Sequence, residues 1–245
     1  MIKDFLSNEK NKINQELEKF FRRKEKEESN ELFTDFISKF KEFVLPENDK
    51  PKRIHPILLI AAYQGIINPM YLEDYISDIR NVAISVELLH NSHLIHDDLI
   101  DQDKERRGNP TFHISLKQEL KELYKNSNHI DLDGMPNLYG RNIGILGATL
   151  GYFFGIDIIK DSQFPDKLKL LALKEYSEAI DYVIKGEIIE EYLDFHNITM
   201  NLEQYLSIAE MMRARVFEKS TKIGAILAKG NIHYQIQPLS EAMLR

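Results

Sequence analysis

The chain has 245 residues, 43% hydrophobic and 29% charged, with 39 acidic side chains against 32 basic ones and neither cysteine nor tryptophan. A chain this long buries roughly 70% of its unfolded surface, so a core can form without staples, and the lack of cysteine excludes disulfides, thiolate zinc sites and a catalytic thiol. The net charge of -7 argues against a general nucleic-acid footprint, and the longest apolar run, Ile57 to Tyr63, falls far short of the ~20 residues that span a bilayer, so a soluble, cytoplasmic protein is expected.

Glycine and proline are sparse, at 11 and 8, and apolar residues recur at helical rather than alternating spacing, which predicts an all-α chain without a strand ladder. A first amphipathic helix covers about residues 3 to 28, with Phe5, Ile13, Leu17, Phe20 and Phe21 on its apolar side. A second places Leu32, Phe33, Phe36, Ile37, Phe40, Phe43 and Val44 toward the core and ends before Pro46. After a polar loop, Pro56 to Ile67 reads as a short apolar helix. Asn68-Pro69 then supplies the cap and first-turn residue of a long helix reaching about Asp101. Lys104 to Pro110 ends it, and further helices are expected near 112 to 126, 136 to 160, 165 to 196, 201 to 230 and 235 to 245. No repeat or linker divides residues 1 to 245, which read as a single domain.

The long central helix carries the chemistry. At about 100° per residue, Leu72, Tyr75, Ile79, Val82, Ala83 and Val86 share one face, and Ile84, Leu88, Ile95 and Leu99 occupy the opposite one. Apolar residues on both sides predict a helix inside a bundle. The first stripe continues into His90, His93, Asp97 and Asp101, with Asp98 about a quarter turn away. Several carboxylates on a core-facing surface must protonate or find a cation, and an oxygen-only donor set suits Mg²⁺, which also takes water and substrate phosphate. Arg106 and Arg107 follow closely, and cations beside a metal site imply that an anion such as phosphate shares it. Lys52, Arg53 and His55 form a second basic group, at the start of an earlier helix.

The segment from Leu88 to Asp101, LLHNSHLIHDDLID, followed by Arg106-Arg107-Gly108, resembles the first aspartate-rich region of the trans-isoprenyl diphosphate synthases, the polyprenyl synthetase family. Its wording is closest to geranylgeranyl diphosphate synthases. Lys52-Arg53-Ile54-His55-Pro56 resembles the family's GGKRxRP element, and Tyr205 to Ala228 a later helix that ends in a Gly-Ala pair, here Gly224-Ala225. The resemblance implies an all-α, isoprenoid-synthase-type bundle around a central cavity, and a prenyltransferase that joins isopentenyl diphosphate to an allylic prenyl diphosphate. By that resemblance Asp97, Asp98 and Asp101 hold Mg²⁺ and Arg106 contacts the allylic diphosphate. Arg107, Lys52 and His90, with Arg53 and His55 in the same basic group, bind the isopentenyl partner. Ser92 and His93 stand where the family controls product length, and small Ser92 with the HNS wording points to a C15 to C20 product. Dimerisation, with itself or with a related synthase, is implied as well.

The match has gaps. Lys50-Pro51 replaces the family glycines, His55 stands in place of an arginine, and Gly186-Glu187-Ile188-Ile189-Glu190 stands where GQxxD is common. Met212-Arg213 occupies the place of a Lys-Thr pair, and no second DDxxD follows before Arg245, which leads to the expectation that the chain lacks the C-terminal part carrying it. A catalytically impaired or regulatory subunit of a heteromeric synthase is therefore the alternative reading, separable by activity that appears only in a mixture with a longer homologue. His93, His96-Asp97 and Asp101 superficially match the H…HD…D set of all-α phosphohydrolases, but that set gathers its ligands from separate helices whereas these lie within nine residues, and histidine-rich sites prefer transition metals. A terpene cyclase would not need two diphosphate sites. His96, His113, His129, His196 and His233 join no constellation and are read as structural or surface residues.

Overall fold

Helical spacing of apolar residues, interrupted by few glycines and prolines, produces long helices whose ends are set by local polar chemistry. The computed structural model describes residues 2–48, 50–126, 131 and 134–228. In order these are α1 (Ile2–Glu27), α2 (Glu31–Val44), α3 (Ile54–Ile66), α4 (Leu72–Ile100), α5 (Phe112–Tyr124), α6 (Gly134–Lys160), α7 (Asp166–Phe195), α8 (Leu202–Ala209) and α9 (Arg215–Leu227). The fold is all-α, as the periodicity predicts. Asn30 starts α2 by accepting hydrogen bonds from the backbone N–H groups of Leu32 and Phe33. Asn68 accepts from the Met70 N–H, and Pro69 opens a short 3₁₀ turn, Pro69–Tyr71, ahead of α4.

Several expectations are corrected. The stretch after α4 forms a two-stranded antiparallel hairpin, β1 (Glu105–Arg106) with β2 (Asn109–Pro110), too short for any alternating pattern to announce it. The single helix expected over 201–230 is divided by a π-helical turn at Glu210–Ala214 between α8 and α9. The helix expected at 235–245 lies outside the described residues. Leu32 is exposed at the start of α2, as is Tyr75 near the start of α4, because these first turns lie at the surface before the buried part of each helix begins. α6 is, by length and composition, apolar enough to cross a membrane, and half of its most apolar window is buried. Scattered glycines hid this from a search for uninterrupted apolar runs.

Two compact units are formed, one from the described residues of 1–16, 53–87 and 154–245, the other from 17–52 and 88–153. In the first, α3 and α9 touch at backbone level: a Cβ on Gly224 would lie 2.1 Å from the Leu59 carbonyl oxygen. Arg53, at the left-handed position that starts α3 (φ 57°), donates to Glu87 at 2.6 Å and to Asn14 at 2.8 Å. His55 stacks on Phe217 with ring centroids 4.5 Å apart. The second unit is centred on aromatic rings: Phe112, the first residue of α5, packs against Phe36, Phe40 and Phe43 at centroid distances of 6.3, 6.0 and 5.8 Å. Glycines on α6 admit this cluster, since a Cβ on Gly147 would meet Phe36 and Phe112, and one on Gly151 would meet Ser92 and Phe40. The aromatic cluster therefore fixes the chain two residues after the hairpin.

Two outcomes follow for stability. Gly224→Ala should destabilise the chain by about 1–3 kcal/mol through overpacking, whereas Gly65→Ala, whose new methyl meets nothing within 4 Å, should stabilise α3 by about 0.5–1 kcal/mol; denaturant midpoints measure both. Burial lowers the His55 pKa, opposed by the negative charge of Glu87, so the folded state binds fewer protons than the unfolded chain. Its stabilising contribution is present above the ordinary imidazole pKa of about 6.5 and is lost as pH falls below it, so His55→Phe, which preserves a ring against Phe217, should flatten the decline in stability between about pH 7.5 and pH 5.

Candidate active site

The acidic end of α4 is shaped by how the helix terminates. Asp101 donates its backbone N–H to the Asp97 carbonyl, Gln102 turns left-handed (φ 58°), and the Asp103 N–H reaches back to the Asp98 carbonyl at 2.9 Å. This last bond is the six-to-one contact of a Schellman ending, here without glycine. The chain then reverses through the hairpin, whose two loop residues, Arg107 (φ 57°) and Gly108 (φ 82°), are both left-handed. Two such residues in a two-residue loop match a type I′ turn, whose twist suits antiparallel strands. The Asn48 side-chain amide braces this turn by donating to the Arg107 carbonyl at 3.0 Å.

The turn brings Arg106 back onto the helix. Its Nη2 donates to Asp97 Oδ2 at 2.5 Å and its Nε to Asp98 Oδ1 at 2.6 Å, so one guanidinium bridges both aspartates. The buried carboxylate is Asp98, while Asp97 is half-buried and Asp101 exposed. The apolar stripe of α4 pointed instead to Asp97 and Asp101; burial on both faces of the helix carries the core around to position 98. Asp98 Oδ2 is buried and has no hydrogen-bond partner among the described residues. Burial raises the Asp98 pKa to about 6, against the lowering effect of Arg106, and Asp97 and Asp103 add to the rise. Asp101 is shifted upward too, by burial first and then by Asp97 and Asp103. Crowded carboxylates with an unsatisfied buried oxygen fit a hard cation, and the oxygen-only donors fit Mg²⁺. A cavity of about 460 Å³ opens beside Arg106 and Arg107, with Lys39, Phe43 and Pro46 in its wall.

The other predicted residues are distributed unevenly. His90 is half-buried and Lys52 exposed. Ser92 and His93 are buried, and Ser92 fills the notch opposite Gly151 on α6, so its small size serves close helix packing. Arg53 and His55 are both buried, Arg53 against Glu87 and Asn14 and His55 against Phe217. Arg213 is exposed, and its neighbour Met212 packs over Gly186. Asn48 was not singled out in the sequence, where a polar loop residue carries no spacing signal.

A family model for polyprenyl synthetase matches residues 46–244. The chain belongs to the polyprenyl synthetase family. It is 31% identical over 183 residues to the short chain isoprenyl diphosphate synthase of Methanocaldococcus jannaschii, covering 74% of this chain and 45% of that one. It is 26% identical over 180 residues to the geranylgeranyl diphosphate synthase of Methanosarcina mazei, covering 72% and 45% respectively. The chain thus spans about half the length of the curated relatives it matches. Among solved structures, the geranylgeranyl pyrophosphate synthase of Corynebacterium glutamicum, complexed with isoprenyl diphosphate and magnesium, aligns with a TM-score of 0.80 at 24% identity over 98% of this chain and 63% of that one. This likeness supports the polyprenyl synthetase fold.

The hairpin gives a direct check on how the arginines are presented. Gly108→Ala would force a side chain into a left-handed position and bring a Cβ to 2.6 Å from the Lys50 ammonium. A loss of about 1–2 kcal/mol in thermal or chemical unfolding is expected, with Gly108→Asn, which tolerates that conformation, recovering most of it.

Proposed function

We propose that the chain is a prenyltransferase that condenses isopentenyl diphosphate with an allylic diphosphate, giving a C15 to C20 product. The observation that carries this reading is Asp98, a buried carboxylate with one oxygen on Arg106 and the other without a hydrogen-bond partner among the described residues. Family membership and the names of the relatives give it further support.

Asp97, Asp98 and Asp101 would hold Mg²⁺, which when bound would supply the charge neutralisation that a departing diphosphate needs. Arg106 serves the same anion, with its two nitrogens already oriented along the acidic turn. Arg107, Lys52 and His90 bind the diphosphate of isopentenyl diphosphate. Arg53 and His55 enter as buried supports of the element that begins just after Lys52, because both are occupied within the protein. His93 would shape the space available to the growing chain, with Ser92 behind it setting the close approach of α6 at Gly151. Departure of the allylic diphosphate leaves a carbocation, the alkene of isopentenyl diphosphate attacks it, and the released diphosphate takes the proton lost from the new bond, so no protein base is required. Assembly as a pair, with a second copy or a related synthase, is supported by the exposed apolar residues Leu138, Leu146 and Phe153 on α6.

The test is incubation of the purified chain with Mg²⁺, isopentenyl diphosphate and allylic diphosphates from C5 to C15, with products separated by length. A C15 or C20 product, reduced by about 100-fold or more in Asp97→Ala, is expected. Folded protein that yields no product from any allylic substrate would overturn the proposal.

A further inference from the structure

The acidic turn of α4 has a reverse face that the proposed chemistry leaves unused. There, within the second unit, a cavity of about 690 Å³ opens between the end of α4, the segment after it, the start of α5 and the first half of α6. Lys104 and Arg141 are exposed in its wall, with the imidazoles of His96 and His113 beside them. Leu99, Ile100, Ile114 and Ile145 supply its apolar wall, and Gln102 and Asn137 complete the lining. Its described lining contains no carboxylate, although the chain as a whole is acidic. The charges acting on His113 from nearby are those of Lys117 and Asp103.

The walls are held by close helix contacts. A Cβ on Gly140 would lie 2.3 Å from the His113 carbonyl oxygen, and one on Gly144 would lie 2.9 Å from a Leu99 methyl, so α6 lies directly against the start of α5 and the end of α4. Neither glycine could carry a side chain without displacing a wall. This cavity and the one beside Arg106 and Arg107 have no lining residue in common.

We propose that this cavity is a second anion site, for a molecule with a phosphate or diphosphate head and an apolar body. Lys104 and Arg141 bind the head, with His113 at hydrogen-bond reach of a bound oxygen, and Leu99, Ile100 and Ile114 cover the body. Two cations and a set of apolar side chains within one small cavity match that amphiphilic chemistry, whereas an apolar ligand alone would leave the cations without a purpose. At about 100° per residue His96 and Ile100 lie about 160° around α4 from Asp98, and Leu99 as far from Asp97 and Asp101, so an occupant touches the acidic turn from its other side. The site is thereby positioned to regulate them.

The experiment is calorimetric titration of the full chain in EDTA, with no isopentenyl diphosphate present, so its outcome is independent of whether the chain catalyses condensation. Geranyl diphosphate and inorganic diphosphate are the probes. Geranyl diphosphate should bind, and the double variant Lys104→Ala/Arg141→Ala, which alters only exposed side chains, should weaken it by about tenfold or more. In Arg106→Ala/Arg107→Ala, which removes the arginines of the proposed allylic site, a geranyl diphosphate binding step that depends on Lys104 and Arg141 should persist, and inorganic diphosphate should occupy it about tenfold more weakly because it lacks the apolar body. The proposal is overturned if no binding is detected up to about 1 mM, if the Arg106/Arg107 variant abolishes it while the Lys104/Arg141 variant does not, or if inorganic diphosphate binds as tightly as geranyl diphosphate.

Discussion

A carboxylate buried on a helix beside one acid and three residues from another is the constraint around which the rest of the second unit is arranged. Asp98 is removed from water at the end of α4, and its ionised form is tolerated only if cations replace the lost hydration. Arg106 supplies one, but a single guanidinium bridging two aspartates leaves Asp98 Oδ2 unsatisfied. Such an arrangement is incomplete as a purely structural ion pair. A second cation beside Asp98 Oδ2 would complete it, which is the feature the proposed function rests on.

Holding Arg106 in that position requires features that lie well away from it in sequence. The Schellman ending stops α4 immediately after the acids, and the left-handed pair Arg107-Gly108 reverses the chain within two residues. Phe112 then anchors the outgoing strand in the cluster of Phe36, Phe40 and Phe43, and glycines on α6 make room for that cluster. A left-handed arginine costs about 1–2 kcal/mol in isolation, so the turn persists because the aromatic anchor and the Asn48 brace over-determine it.

Much of this was legible in the sequence, and the limits have physical causes. Helical periodicity located nearly every described helix, because spacing of three and four reports a buried face directly. The acidic set was legible because carboxylates one turn apart on an apolar helix have few structural uses. The identity of the most buried acid was not, since α4 is covered on both faces and a single stripe cannot describe it. The hairpin escaped because two-residue strands carry no alternation, and the π-helical turn at Glu210–Ala214 because it displaces the register by one residue without changing composition. Ser92 illustrates a different limit: a small buried residue can leave space for a ligand or admit a neighbouring helix, and only the position of Gly151 distinguishes the two.

The basic triplet Lys52, Arg53 and His55 shows how proximity in sequence can conceal a division of labour. Arg53 is itself buried together with Glu87, unlike the part-exposed Arg106, so its charge is met inside the protein, and burial lowers the His55 pKa and favours the neutral ring. Lys52, exposed and immediately ahead of them, is the one member whose charge remains directed outward. The left-handed φ at Arg53 turns the chain between the outward lysine and the inward Arg53 and His55, so one short basic segment presents a single exposed cation and two buried side chains at the start of the helix behind it.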